Sequence, residues 1–363
     1  MCIFAPDLNI HSKMRIAFTT DLPREGFKRL EAYPNPTLKG RAILMPAGEN
    51  FSEADVLVST FDYRVPREMI EAMPNLRLIA NFGAGYNNID LDACRERGIR
   101  VTNTPQPVVE PTAELAFALM MAVARRVVEF DGRVRAYPQE RFYDRPQDAQ
   151  SGDALHPEGM GELFGVMRNL SHSLYGKTLG ILGMGRIGQA LARRAAASGM
   201  RVIYHNRKPL PTPPLKGRET GLSSWQDEVI RQAEYVDFQT LLQESDYLSL
   251  NLPYTPEVHH IIGKPEFGQM KRTAYLINTA RGAHVDEQAL VEALRSGIIA
   301  GAALDVYEHE PQISPELLTL PNVVLSPHTG TGTWEGRIAM CENVTDNILA
   351  FAQNEFEKMN IVL

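Results

Sequence analysis

The strongest constraint on the fold is a glycine-rich run at residues 183–188 (GMGRIG) that lies between two apolar segments. The first segment, 178–182, is short and apolar, and the second, 201–205, is rich in β-branched and aromatic residues. A helical pattern connects the glycines to the second segment. This order predicts a strand, a tight turn, a helix and a parallel neighbouring strand, which is the arrangement of a dinucleotide-binding unit.

Each glycine of the run has its own predicted role. Gly183 makes the tight turn, Gly185 lets the backbone approach a pyrophosphate, and Gly188 lets the helix pack closely on the sheet. The first turn of the helix, with Arg186 and Ile187, presents free N–H groups and the positive end of the helix dipole to the phosphates. We therefore assign all five residues to cofactor binding.

The end of the second strand predicts which dinucleotide is preferred. An acidic residue usually stands there to bind the ribose 2′-hydroxyl of NAD, but this chain has Asn206, followed by Arg207 and Lys208. A carboxylate would repel a 2′-phosphate, whereas an amide beside two cations can hold it. The pattern predicts NADP(H) as the preferred cofactor. The alternative is NAD(H), with Asn206 bound to the ribose and the two cations in a solvated turn.

The rest of the chain also alternates short strands with helices, which favours parallel sheets covered on both faces. A nearly all-apolar helix is predicted at 113–130, buried between domains or subunits. Two polar spans, 137–161 and 208–227, are long for connections and are expected to be functional loops. Residues 1–13 resemble a leader, and whether they belong to the natural protein is left open.

Composition excludes several classes of function. Of 363 residues, 37 are Lys or Arg and 44 are Asp or Glu, and the net charge of −7 disfavours a nucleic-acid partner. Three scattered cysteines do not form a disulfide framework or a metal site, so we assign no residue to a metal and expect a cytoplasmic protein. Neither a signal peptide nor an apolar stretch long enough to span a membrane is apparent.

Three further segments place charged residues just after apolar strands. Arg281 follows the first strand, Asp305 and Glu310 follow the second, and His328 follows the third. Open α/β sheets bind ligands at the carboxyl ends of their strands, so these side chains are expected to converge on one crevice.

With these residues the chain resembles the D-2-hydroxyacid dehydrogenase family, whose Arg, Glu and His correspond to Arg281, Glu310 and His328. The likeness covers most of the chain. Within the family it is most similar to the glyoxylate and hydroxypyruvate reductases, on the segments 81–90, 101–105 and 205–207. The resemblance implies an enzyme that interconverts 2-oxo acids and D-2-hydroxy acids by hydride transfer.

The resemblance also implies roles for single residues. Arg281 binds the substrate carboxylate and carbonyl, His328 exchanges the proton, and Glu310 raises the histidine pKa. The backbone of Gly83 and Ala84 corresponds to the loop that binds the substrate carboxylate. Further positions correspond to cofactor contacts: Pro253, Thr279, Ala280, Asp305 and Gly330. Three other histidines match no family position: His259, His260 and His309.

Two domains are expected on this basis. Residues 14–104 with 331–363 form a substrate domain, and residues 105–330 form the dinucleotide-binding domain inserted within it. Both are expected to be Rossmann-like α/β domains with doubly wound parallel sheets. A hinge is expected near residues 105 and 329–330, and a homodimer is implied.

The favoured function is NADPH-dependent reduction of glyoxylate, hydroxypyruvate or a similar small 2-oxo acid. The alternatives are an NAD-linked dehydrogenase of a bulkier acid, with the long spans shaping its pocket, and a nucleotide-sensing scaffold of the same fold.

Overall fold

The computed structural model describes residues 14–32, 42–45, 48, 51–137, 169–210 and 224–363. The predicted leader and most of the two long spans, 137–161 and 208–227, lie outside these residues. Contacts divide the chain into two compact units, Met1–Pro111 with Thr331–Leu363, and Thr112–Gly330. They are called the first and second unit below.

The first unit contains a five-stranded, all-parallel sheet in the order β2-β1-β3-β4-β5. Its strands are β1 (Arg15–Phe18), β2 (Ile43–Leu44), β3 (Val56–Thr60), β4 (Leu78–Phe82) and β5 (Arg100–Thr102), and its helices are α1 (Lys28–Ala32), α2 (Arg67–Glu71), α3 (Leu91–Glu96) and α11 (Trp334–Ala352).

Both faces of this sheet are covered, as the side chains of β3 show. Val56 and Val58 pack in one apolar cluster with Val344 of α11, whereas Leu57, between them, packs in a second cluster with Ile70 of α2. Successive side chains of a strand point to opposite faces, so a strand buried on both sides reads as a continuous apolar run. All five residues of β3 are buried.

The second unit contains a seven-stranded, all-parallel sheet in the order β12-β11-β10-β9-β6-β7-β8. Its strands are β6 (Thr178–Leu182), β7 (Arg201–His205), β8 (Glu234–Tyr235), β9 (Tyr247–Leu250), β10 (Tyr275–Asn278), β11 (Gly301–Leu304) and β12 (Val323–Leu325). Its helices are α5 (Val127–Ala136), α6 (Arg186–Ala197), α7 (Ser224–Gln232), α8 (Phe238–Glu244), α9 (Lys264–Phe267) and α10 (Glu287–Arg295), besides most of α4 (Val109–Ala124). Two parallel-sheet α/β units confirm the predicted fold class.

The prediction of one apolar helix over 113–130 is wrong. Helix α4 ends at Ala124, and α5 begins at Val127. Arg126 between them has a left-handed backbone with φ of 54°, and its guanidinium donates to the Leu170 carbonyl at 3.0 Å. The Ala124 carbonyl accepts from the His172 N–H at 2.9 Å. Hydrogen bonds from a distant segment therefore end the helix where its apolar pattern would continue it.

None of the described helices has an apolar stretch long enough to cross a lipid bilayer.

Candidate active site

The glycine turn has the geometry that the sequence predicts. Gly183 follows β6 with φ of +99°, and a Cβ atom there would lie 2.8 Å from the backbone of Asn251. A Cβ atom on Gly188 would lie 2.4 Å from the Gly183 carbonyl oxygen. A side chain on Gly183 would push the turn away from the segment after β9, and one on Gly188 would push α6 away from the turn. Helix α6 then begins at Arg186, and its N-cap, Gly185, leaves the first amides without a side-chain acceptor.

Asn206 ties the end of β7 to this turn. Its Oδ1 atom accepts the Met184 N–H at 2.7 Å, so the side chain holds the glycine turn in place. Arg207 and Lys208 follow and are both exposed. The structure therefore brings the Asn206 amide to the turn, and two exposed cations follow it in the chain.

Buried polar atoms at the strand ends fit a polar ligand. Among the described residues, Oδ1 of Asn251 after β9 and Oγ1 of Thr279 after β10 are buried with no hydrogen-bond partner. A buried polar atom without a partner is destabilising, so such atoms often mark the place of a ligand or water. Together with the tight glycine turn, they fit a bound dinucleotide.

Arg281 is held on a loop that the last residue of β10 fixes. The side chain of Asn278 donates from Nδ2 to the Arg281 carbonyl at 2.9 Å and accepts the Ala280 N–H at 3.1 Å. The guanidinium itself is partly buried and donates to the Ala280 carbonyl at 2.6 Å. Burial lowers the pKa of Arg281, while the nearby Glu310 carboxylate opposes that shift.

His328 and Glu310 form a direct pair. Nδ1 of the imidazole lies 2.8 Å from Oε2 of Glu310. The other carboxylate oxygen of Glu310 accepts the Tyr307 N–H at 2.9 Å. Burial raises the pKa of Glu310, but the contact with His328, the Tyr307 N–H and the charge of Arg281 outweigh it and leave that pKa below its usual range. An ionised Glu310 is an acceptor, so it favours a proton on Nδ1 and fixes the ring.

A buried carboxylate shapes the backbone that carries this histidine. Asp305 accepts the N–H groups of Thr329 and Gly330, both at 2.8 Å, and its own carbonyl accepts the His328 N–H at 2.8 Å. These three bonds hold His328 in the left-handed region, with φ of 54°. Both oxygens of Asp305 thus accept hydrogen bonds from the residues that follow His328.

Of the three predicted catalytic residues, Glu310 and His328 are in direct contact, and the charge of Arg281 contributes to the lowered pKa of Glu310. The predicted cofactor residues lie at the carboxyl ends of neighbouring strands of the same sheet: Gly183 after β6, Asn206 after β7, Pro253 after β9, and Thr279 and Ala280 after β10.

Gly83 and Ala84 belong to the first unit, at the carboxyl end of β4. The Gly83 N–H already donates to the Asn81 carbonyl at 3.1 Å, and the Ala84 carbonyl accepts from Nδ2 of Asn103 at 2.8 Å. Within the described part of the chain, no hydrogen bond occupies the Ala84 N–H. Of the two predicted amides, only that of Ala84 is therefore open to an anion.

Two asparagines that the sequence patterns do not mark as functional fix these loops. Asn81, fully buried in β4, donates from Nδ2 to the carbonyls of Gly83 and Gly85 at 3.2 and 2.7 Å. Asn278 does the same work at the end of β10. The available signal was an amide side chain near the carboxyl end of an otherwise apolar strand, because such a residue must find buried partners.

His284 is likewise not marked by the sequence patterns. Its ring is completely buried, and neither ring nitrogen has a hydrogen-bond partner among the described residues. Burial lowers its pKa to about 4; the backbone of Pro253 opposes the shift, and the charge of Arg281 adds to it. The ring is therefore neutral in the folded protein near neutral pH.

We expect His284→Leu to make the protein more resistant to acid. In the wild type the unfolded chain takes up the proton near pH 6.5, whereas the folded chain does so only near pH 4. The free energy of unfolding therefore falls by about 2 kcal/mol as the pH is lowered from about 7.5 to about 5. Denaturant unfolding at the two pH values should show that His284→Leu lacks this loss. The exposed His172→Leu serves as the control and should unfold like the wild type. Equal pH dependence in wild type and His284→Leu would contradict the assignment.

Comparison with known proteins identifies the family of the chain. Residues 117–330 match the family model for the D-isomer specific 2-hydroxyacid dehydrogenase, NAD binding domain. The glyoxylate reductase of Thermococcus litoralis is 43% identical over 349 residues, which cover 94% of this chain and 95% of that protein.

Solved structures lead to the same conclusion. A glyoxylate reductase from Paecilomyes thermophila superposes with a TM-score of 0.74 at 33% identity, covering 94% of this chain and 96% of that one. An NADPH-dependent glyoxylate/hydroxypyruvate reductase from Sinorhizobium meliloti, in complex with NADP and malonate, has a TM-score of 0.72 at 28% identity, with 94% of each chain covered. The predicted family and enzyme class are thereby confirmed. The chain belongs to the D-isomer specific 2-hydroxyacid dehydrogenase family and is an NAD(P)-dependent oxidoreductase.

Proposed function

We propose that this enzyme reduces glyoxylate, hydroxypyruvate or a similar small 2-oxo acid to the D-2-hydroxy acid, with NADPH as the preferred donor. The observation that carries the proposal is the contact between His328 and Glu310 beside Arg281, at the strand ends that also carry the glycine turn. The names of the relatives support the substrate class.

Arg281 binds the substrate in this proposal. A 2-oxo acid carries a carboxylate next to its carbonyl, and a planar guanidinium can donate to both groups at once. The clamp from Asn278 holds the Arg281 backbone, so the guanidinium is oriented before the substrate arrives. Pre-organised donors of this kind also stabilise the negative charge that develops on the carbonyl oxygen.

His328 exchanges the proton. Glu310 holds the Nδ1 side of the ring, so Nε2 is the nitrogen that donates to the developing alkoxide during reduction and accepts the proton back during oxidation. The N–H groups of Thr329 and Gly330 donate to Asp305 and keep the adjacent imidazole in place. Glu310 acts as the orienting partner of the histidine.

The dinucleotide is held by the glycine turn, the first amides of α6 and the polar atoms after β9 and β10. A nicotinamide cofactor, when bound, supplies or accepts the hydride. Asn206, Arg207 and Lys208 favour a 2′-phosphate, since this chain has an amide and two cations where a carboxylate would be repulsive.

Asn206→Asp should shift the preference from NADPH toward NADH. An aspartate can still accept the Met184 N–H, so the turn is expected to keep its shape, while the added charge repels a 2′-phosphate and suits a 2′-hydroxyl. We expect the ratio of kcat/KM for NADPH over NADH to fall by about tenfold or more. Steady-state rates with both cofactors measure it. Arg207→Ala should lower the NADPH value alone, and an unchanged ratio in both variants would exclude this phosphate site.

The first unit also contributes to substrate binding in this proposal. We assign it to substrate binding through the Ala84 amide, and we assign the second unit to cofactor binding. We also propose a homodimer, for which sedimentation should give twice the mass of the chain.

The direct test of the reaction is the loss of NADPH absorbance with glyoxylate and with hydroxypyruvate, measured beside NADH. Rapid oxidation of NADPH, at least about tenfold better in kcat/KM than that of NADH, is the expected result. Turnover with NADH preferred would keep the reaction and overturn the cofactor preference. Turnover only with larger 2-oxo acids would overturn the proposed substrate.

A further inference from the structure

Three side chains with metal-binding chemistry lie together outside the proposed catalytic group. His259, His260 and Glu308 each offer a ligand atom, and these atoms all lie within 4.8 Å of one another. Nε2 of His260 is 2.6 Å from Oε1 of Glu308, and the two imidazole rings are stacked with centroids 3.9 Å apart. Neither histidine has a role in the proposed reaction.

The local backbone brings the cluster together from separate segments. His260 has φ of 50°, a left-handed value that is unusual for a residue with a side chain. Its N–H donates to the Ala283 carbonyl at 2.9 Å, which ties the segment after β9 to the loop after β10. Glu308 comes from the segment after β11. The three side chains thus come from two connections of the second unit, and the His260 N–H links them to a third.

Neighbouring groups orient the ligand atoms. The Tyr254 hydroxyl lies 3.4 Å from Nδ1 of His259, which leaves Nε2 of that ring as the ligand atom. Oε2 of Glu308 accepts the Glu287 N–H at 3.2 Å, so Oε1 is the oxygen directed at His260. Partners of this kind, beyond the ligands themselves, fix the orientation of side chains in metal sites.

We propose that His259, His260 and Glu308 bind one divalent transition-metal ion per chain, with zinc as the representative ion. Two imidazoles and one carboxylate form a donor set that suits zinc, nickel or cobalt and not magnesium or calcium, which prefer oxygen ligands. Three protein ligands leave one position of a tetrahedral ion for water.

The present geometry needs only a small change to accept such an ion. A nitrogen and an oxygen on the same tetrahedral zinc lie about 3.3 Å apart, so the atoms of His260 and Glu308 must separate by less than about 1 Å. Their side chains are 35% and 13% exposed, and His259 is exposed, so its ring can turn toward the ion.

The ion has a structural consequence in this proposal. Bound at this cluster, it connects the segments that follow β9 and β11, which carry Pro253 and Glu310. It therefore stabilises the second unit against thermal unfolding and takes no part in proton or hydride exchange. The inference stands independently of the proposed reaction.

Calorimetric titration of the untagged, chelator-treated protein with zinc chloride tests the site, with the melting temperature as a second readout. We expect one ion per chain and a higher melting temperature with zinc. His259→Ala and Glu308→Gln should each weaken zinc binding by at least about tenfold. The loss of a group that only orients a ligand already lowers metal affinity by about that factor, and the loss of the ligand itself should lower it further.

His309→Ala is the matched control, because His309 is an exposed histidine next to Glu308 that lies outside the cluster. It should bind zinc as the wild type does. Because His259 is exposed, its alanine variant should fold, which circular dichroism checks. The proposal is overturned if the wild type shows no saturable binding, or if His259→Ala and wild type bind zinc equally.

Discussion

Arg281→Ala should lower kcat/KM for glyoxylate by about a thousandfold, or about 4 kcal/mol of transition-state stabilisation. The substrate carboxylate loses its guanidinium partner in a partly buried site, and no other cation replaces it in the proposed arrangement. Arg281→Lys should recover only part of the activity, because an ammonium group lacks the planar, paired donors. Steady-state kinetics with glyoxylate measure both effects.

Two controls separate substrate binding from folding and from cofactor binding. Arg272→Ala removes an exposed arginine whose contact is the Gly297 carbonyl, and it should behave like the wild type. NADPH binding, followed by fluorescence titration, should be unchanged in Arg281→Ala. If turnover persists in Arg281→Ala within a few-fold of the wild type, Arg281 does not bind the substrate.

His328→Gln should lower kcat by about 10²- to 10⁴-fold, the range typical of the loss of a general acid. The amide can still donate to Glu310 but cannot transfer a proton. Glu310→Gln should have a smaller effect on kcat, since its amide oxygen can still accept the Tyr307 N–H and the imidazole remains. Stopped-flow or steady-state measurement of NADPH oxidation distinguishes the variants.

His309→Ala is the control for His328→Gln, because His309 is an exposed histidine one residue before Glu310. Its kcat should equal that of the wild type. The reverse result, with His309 essential and His328 dispensable, would transfer the acid–base role to the other histidine.

Much of the second unit was predictable because its signals are local. The glycine turn, the apolar strands and the charged residues that follow them lie close together in the chain, and the structure places them at one edge of one sheet. The contact between Glu310 and His328 also agrees with the order of those strands, since β11 and β12 are neighbours.

Other features depend on contacts that no local pattern reveals. Helix α4 ends at Ala124 because the N–H of the distant His172 donates to the Ala124 carbonyl. The apolar periodicity of the helix cannot predict that hydrogen bond. The same holds for the cluster of His259, His260 and Glu308, whose members come from different connections. Asn81 and Asn278 were recognisable as polar residues in apolar strands, but only the structure shows which carbonyls they clamp.

The first unit is built from two separate parts of the chain, and this determines when it can fold during synthesis. Its core includes Met340 and Val344 of α11, and the residues after this helix reach β5, where the Val101 N–H donates to the Leu363 carbonyl at 3.1 Å. The second unit is one continuous stretch. During synthesis the second unit can fold as soon as it has left the ribosome, whereas the earlier-synthesised strands of the first unit must wait for α11. Until α11 has been synthesised, the sheet face that it covers stays exposed, and the nascent chain is then most exposed to aggregation and most in need of a chaperone.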